Sequence, residues 1–79
     1  MQLIQTIPVS ANGKHYEIRV FSEGADYRVA GYLNDRQITA GYRVEMATDF
    51  DFHQYHGTWA HDHLVTAVKE DIMGGHVAP

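Results

Sequence analysis

The sequence predicts an α+β domain in two layers: a four-stranded antiparallel meander sheet packed on one face by a C-terminal helix, in the order ββββα. Three observations predict it. From Lys14 to Met46 apolar and polar residues alternate with a period of two, which on a pleated strand sends every second side chain to one face. The pairs Asn12-Gly13 and Glu23-Gly24 cut the polar and apolar runs at hairpin intervals, and Asn-Gly is a strong two-residue turn signal. The last third of the chain carries an apolar stripe at helical spacing, Ala60, Leu64, Val65, Val68 and Ile72.

The first strand runs from Leu3 to Val9 and belongs at a sheet edge, because Pro8 lacks the amide that a central strand needs. In the second, Tyr16, Ile18 and Val20 alternate with His15, Glu17 and Arg19. The third sends Tyr27, Val29, Gly31 and Leu33 to the core face, with Arg28, Ala30 and Tyr32 outward. The fourth, Ile38 to Met46, alternates Ile38, Ala40, Tyr42, Val44 and Met46 with Thr39, Gly41, Arg43 and Glu45. A turn at Asn12-Gly13 pairs Val9 with Tyr16 and Ile7 with Ile18. Turns at Glu23-Gly24 and Asp35-Arg36 then pair Ile18 with Val29, Leu33 with Ile38 and Val29 with Tyr42, so apolar meets apolar throughout.

Residues 47–57 read as a loop whose aromatic residues Phe50, Phe52 and Tyr55 can fold over the last strand. Thr58 is the expected N-cap of a helix from about Trp59 to Met73, with Gly74-Gly75 as its stop. An amphipathic helix and a sheet with one apolar face bury those surfaces against each other. Residues 1–73 form one domain on this reading, and 74–79 a flexible C-terminal tail.

Composition narrows the function classes. A chain of 79 residues has room for a single core. With 44% hydrophobic and 20% charged residues it lies far from disordered compositions. Ten acidic against six basic residues give a net charge of -4, which excludes an overall basic footprint for duplex nucleic acid. The absence of cysteine excludes disulfides and thiolate metal sites. The N-terminus has neither the charge nor the apolar run of a signal peptide or membrane span, so a cytoplasmic protein without membrane contact is expected.

Two surface features stand out. The pairing above places Arg19, Arg28 and Arg43 in one row on the uncovered sheet face, with Tyr32 beside them. Guanidinium forks suit phosphate and carboxylate, so these four residues form a candidate binding patch for an anion, an acidic protein surface or single-stranded nucleic acid. Glu17 and Glu45, diagonal to Arg28, offer the alternative of a solvated ion-pair lattice. The second feature is a concentration of ligand-type side chains, Asp49, Asp51, His53, His56 and His61. Imidazole and carboxylate suit zinc, nickel or copper, but the spacing contains no helical His pair at i and i+4. His61 shares the apolar stripe of the helix and is expected to be partly buried.

No nucleophile elbow or phosphate-cradling glycine loop is present, and a domain of this size offers little depth for a pocket. The expectation is a non-enzymatic binding or assembly module without a cofactor, acting through its open sheet face or an edge strand. Self-association is expected because the long, proline-free strand from Ile38 to Met46 would expose its edge. A protein partner, single-stranded nucleic acid through the arginines, and a metal at 49–61 are the alternatives.

Overall fold

The computed structural model describes residues 1–78. It has the α+β architecture, an antiparallel sheet packed against two helices. Strands β1 (Gln2–Ala11), β2 (Lys14–Glu23) and β3 (Asp26–Leu33) are followed by two short strands, β4 (Arg36–Gln37) and β5 (Tyr42–Glu45). Helices α1 (Met46–His56) and α2 (Ala60–Met73) complete the chain. The sheet order is β1-β2-β3-β4, with β5 also paired to β3.

The β1–β2 hairpin has the expected register, Val9 opposite Tyr16 and Ile7 opposite Ile18, closed by Asn12-Gly13 with both residues at positive φ. An irregularity between Leu3 and Gln5 adds one residue to β1. The next two turns differ from expectation. Gly24-Ala25 closes β2–β3, because Glu23 and Asp26 form the last pair. Val20 therefore faces Val29, and Ile18 faces Gly31. Asn34-Asp35, both at positive φ, closes β3–β4 in place of Asp35-Arg36. Each slip moves the pairing by an even number of residues, so the faces are conserved while the partners change.

The expected strand from Ile38 to Met46 is broken. Tyr32 pairs with Gln37, and pairing resumes at Val29 with Tyr42, so Ala30 and Gly31 face the whole segment from Ile38 to Gly41. Gly31 explains the break. A Cβ there would lie 2.9 Å from Thr39 Cγ2 and 3.0 Å from Ile72 Cδ1, so the missing side chain lets Thr39 and α2 close on the strand. The Thr39 hydroxyl accepts from Gly31 N–H at 2.9 Å, and Ile38 N–H donates to Gly31 C=O at 2.9 Å. A side chain thus replaces one rung of the ladder.

Residues 46–56 form a helix where a loop was expected. Their apolar residues, Met46, Ala47, Phe50, Phe52 and Tyr55, make no single helical stripe. Ile18, Val20, Val29, Val68 and Ile72 form the centre of the core, with Val9, Tyr16 and Ile38 around them. The segment after α2 turns back: His76 N–H donates to Asp71 C=O and Ala78 N–H to Ile38 C=O, both at 2.8 Å, and Val77 packs against the core. Pro79, the last residue of the expected tail, lies outside the described residues. Among the described residues no helix is long and apolar enough to cross a membrane.

Candidate functional site

Alternation along β2, β3 and β5 puts Arg19, Arg28 and Arg43 on the sheet face away from α2, together with Tyr32. Arg28 stands directly opposite Arg43, as expected. Arg19 does not join that row, because the β2–β3 register sets it opposite Ala30 and sets Arg28 opposite Phe21.

Each guanidinium is engaged. Arg19 Nη2 donates to Glu17 at 2.7 Å and to Asp35 at 2.5 Å, and its guanidinium carbon lies 4.5 Å from the centre of the Tyr32 ring. Hydrogen bonding to Asp35, and then to Glu17, raises the Arg19 pKa further above an already high value. Arg28 donates to Gln37 Oε1 at 2.5 Å, and Gln37 Nε2 donates to Thr39 C=O at 2.9 Å. A Cβ on Gly41 would meet Arg28 Nε at 2.9 Å, so this guanidinium lies against the backbone of the 38–41 segment. Arg43 lies 3.3 Å from Glu23 and 3.8 Å from Asp26. Ala30, on the sheet face away from α2, is fully buried.

The face also carries Glu17, Glu23, Asp26 and Glu45, with Asp35 at its margin. Asp26 faces Glu45 beside the Arg28–Arg43 pair, so a like-charged acidic pair adjoins a like-charged basic one. Their mutual attraction offsets the repulsion within each pair. The arrangement is a charge lattice in which carboxylates outnumber guanidinium groups.

The structure brings together two of the five ligand-type residues of the histidine segment. Asp49 on α1 is 1% exposed. Its Oδ1 accepts from His61 N–H at 3.0 Å, and its Oδ2 lies 2.8 Å from His61 Nδ1. A carboxylate accepts, so Nδ1 carries the proton in this pairing. The carboxylate serves as the N-terminal cap of α2, supplied from another helix. Trp59 stands at the N-cap position, where Thr58 was expected, with no capping bond from its own side chain. His61 also packs against Tyr27 and Trp59, with ring centroids at 5.2 and 5.9 Å.

The other candidates point elsewhere. His53 stacks on Trp59 at 4.0 Å, and His56 packs against Phe52 at 4.4 Å. Asp51 is exposed. Among the described residues no three His, Cys, Asp or Glu side chains converge as a metal site. The ring of His61 faces the carboxylates of Asp49 and Asp62 and the rings of Tyr27 and Trp59.

The chain matches no family model, no curated protein and no solved structure. The remaining feature is the pair of sheet margins, where the long last strand expected from Ile38 to Met46 is replaced by β4 and β5. β4 and β5 are short, separated by the 38–41 segment, and carry Arg36, Arg43 and Glu45. β1 is ten residues long, and among the described residues it pairs with β2 alone. It has no charged side chain, and Leu3 and Ile4 are 48% and 53% exposed. The run from Gln2 to Ala11, without a charged side chain, was the available signal.

Proposed function

We propose that this chain is a non-enzymatic binding and assembly module that works by strand addition along the free edge of β1. The observation that carries this reading is the contrast between the two margins of the sheet. Natural sheets protect exposed edges with charges, prolines, bulges or short strands. The β4–β5 margin is short and charged, and it is interrupted by the 38–41 segment. β1 has only Pro8 and one irregularity over ten residues.

The hairpin geometry supports the reading. A two-residue turn closes on a hydrogen-bonded pair, here Ala11 with Lys14. By alternation Val9, Ile7 and Gln5 bond to β2, while Ser10, Pro8 and Thr6 direct their backbone groups outward. Pro8 accordingly sits where its missing amide costs the hairpin nothing. Thr6 and Ser10 each offer both a donor and an acceptor to an added strand.

Amide exchange measured by NMR tests this reading, on concentrated protein with and without a synthetic peptide of the β1 sequence. Slowed exchange at Thr6 and Ser10 in either sample supports strand addition. Exchange of both amides at solvent rates in both samples overturns it.

A further inference from the structure

The outward groups of β1 are arranged to fit a second copy of the same strand. We infer that two chains pair β1 to β1 in antiparallel fashion, with the two-fold axis beside Thr6; this rests on strand addition at that edge.

Charge and geometry select this occupant together. An antiparallel two-fold contact sets each residue near its own counterpart, so any charge close to the axis faces a like charge. The run from Gln2 to Ala11 contains no charged side chain, while the molecule as a whole carries -4. Every acidic or basic side chain of the hairpin lies from Lys14 onward, on β2. A neutral strand on an acidic molecule is the segment through which a second acidic molecule can approach.

Three outward positions could hold the axis. At Pro8 the two central residues would both lack the N–H, and the central pair of hydrogen bonds could not form. At Ser10 the strands would overlap only into the Asn12-Gly13 turn. At Thr6 each copy presents a complete N–H and C=O to the other, and the strands overlap on both sides of the axis. Threonine opposite threonine is also a favourable cross-strand pair.

Thr6 is itself exposed and stands opposite Arg19, so a glutamate there costs the isolated chain little and a lysine costs it more. Molar mass by light scattering, measured over a roughly hundredfold concentration range, is expected to rise from 8.9 kDa toward twice that value for the unaltered chain. Thr6→Lys and Thr6→Glu each bring like charges together at the axis and are expected to raise the dissociation constant at least about fivefold. An equimolar mixture of the two variants is expected to associate again, because opposite charges then meet. That recovery requires both variants to be folded, so it separates a lost contact from a lost fold.

A chain of constant 8.9 kDa mass at every concentration overturns self-pairing. Should the β1 peptide still protect Thr6 and Ser10 in that monomer, the strand-addition reading stands without it. Association that neither charge variant weakens, or that the mixture fails to restore, places the contact elsewhere and also overturns the proposal.

Discussion

Asp49 holds His61 twice, through its backbone N–H at 3.0 Å and its ring Nδ1 at 2.8 Å, and so ties the start of α2 to the first turn of α1. Capping groups satisfy helix N–H donors and interact with the positive end of the helix dipole. Asp49→Ala is expected to cost about 1–3 kcal/mol in urea unfolding. His61→Ala keeps the backbone cap and should cost less. The double variant should show non-additive losses, with a coupling of about 0.5 kcal/mol or more. Additive losses would mean that the two residues act independently.

Asn12 does two things in the first turn. It adopts a positive φ of 55°, and its Nδ2 donates to Ile72 C=O at 3.2 Å near the end of α2. Asn12→Gly keeps the backbone freedom and loses only the bond, for about 0.5–1.5 kcal/mol. Asn12→Ala adds the left-handed penalty of about 1–2 kcal/mol. Thermal unfolding should therefore rank the original chain above the glycine variant and the glycine above the alanine variant. Equal stability of the two variants would contradict the backbone argument.

Gly31→Ala forces a Cβ into the contact with Thr39 Cγ2 and Ile72 Cδ1. Overpacking of this kind costs about 1–3 kcal/mol. Thr39→Ser removes Cγ2 while keeping the hydroxyl that bonds Gly31 N–H, so the double variant should recover part of the loss. Denaturant midpoints of the four proteins check this, and a double variant weaker than the sum of its parts would refute the steric account.

Tyr42 donates to Asp71 Oδ2 at 2.6 Å, and this bond, followed by burial, raises its pKa above the ordinary tyrosine value. The phenol must keep its proton to donate. The resulting stabilisation is fully present below the unfolded pKa of about 10 and is lost as pH rises through the higher folded value. Alkaline melting curves should show a decline that Tyr42→Phe abolishes. Ultraviolet titration should find one tyrosine fewer ionising with the main group. An unchanged titration in the phenylalanine variant would remove this assignment.

Arg28 and Arg43 face each other yet have different surroundings. Arg28 reaches Gln37 and the backbone at Gly41, and so supports the break between β4 and β5. Arg43 is more than half exposed beside Glu23. Arg28→Ala should therefore lower the melting temperature clearly, and Arg43→Ala hardly at all, since exposed pairs contribute about 0–1 kcal/mol. With carboxylates outnumbering guanidinium groups on this face, oligonucleotide titrations at moderate salt should detect little binding, and none that the double variant changes. Tight binding that falls steeply with salt would instead support the anion-binding expectation.

Strand parity was legible because a two-residue period survives any even slip. The core set Tyr16, Ile18, Val20 and Val29 follows from it directly. Partner identity was less legible. Gly24 can occupy either position of a two-residue turn, and the shift from Glu23-Gly24 to Gly24-Ala25 moved Arg19 from Arg28 to Ala30. The break at 38–41 depends on Gly31 meeting Thr39 across the sheet, a relation between distant residues that alternation does not encode. α1 was hidden because its contacts are made by histidines, aromatic rings and one buried carboxylate. Asp49 and His61 were both singled out as ligand types, but their pairing becomes visible only once residues 46–56 are helical.

Both ends of α2 are fastened by residues from other parts of the chain, Asn12 at one end and Asp49 at the other. Helices of globular proteins commonly fray from their termini, so terminal amides exchange sooner than central ones. Here fraying at either end must first break a bond to the hairpin turn or to α1. Opening either end of α2 therefore costs a bond to a distant part of the chain, over and above the helix's own hydrogen bonds.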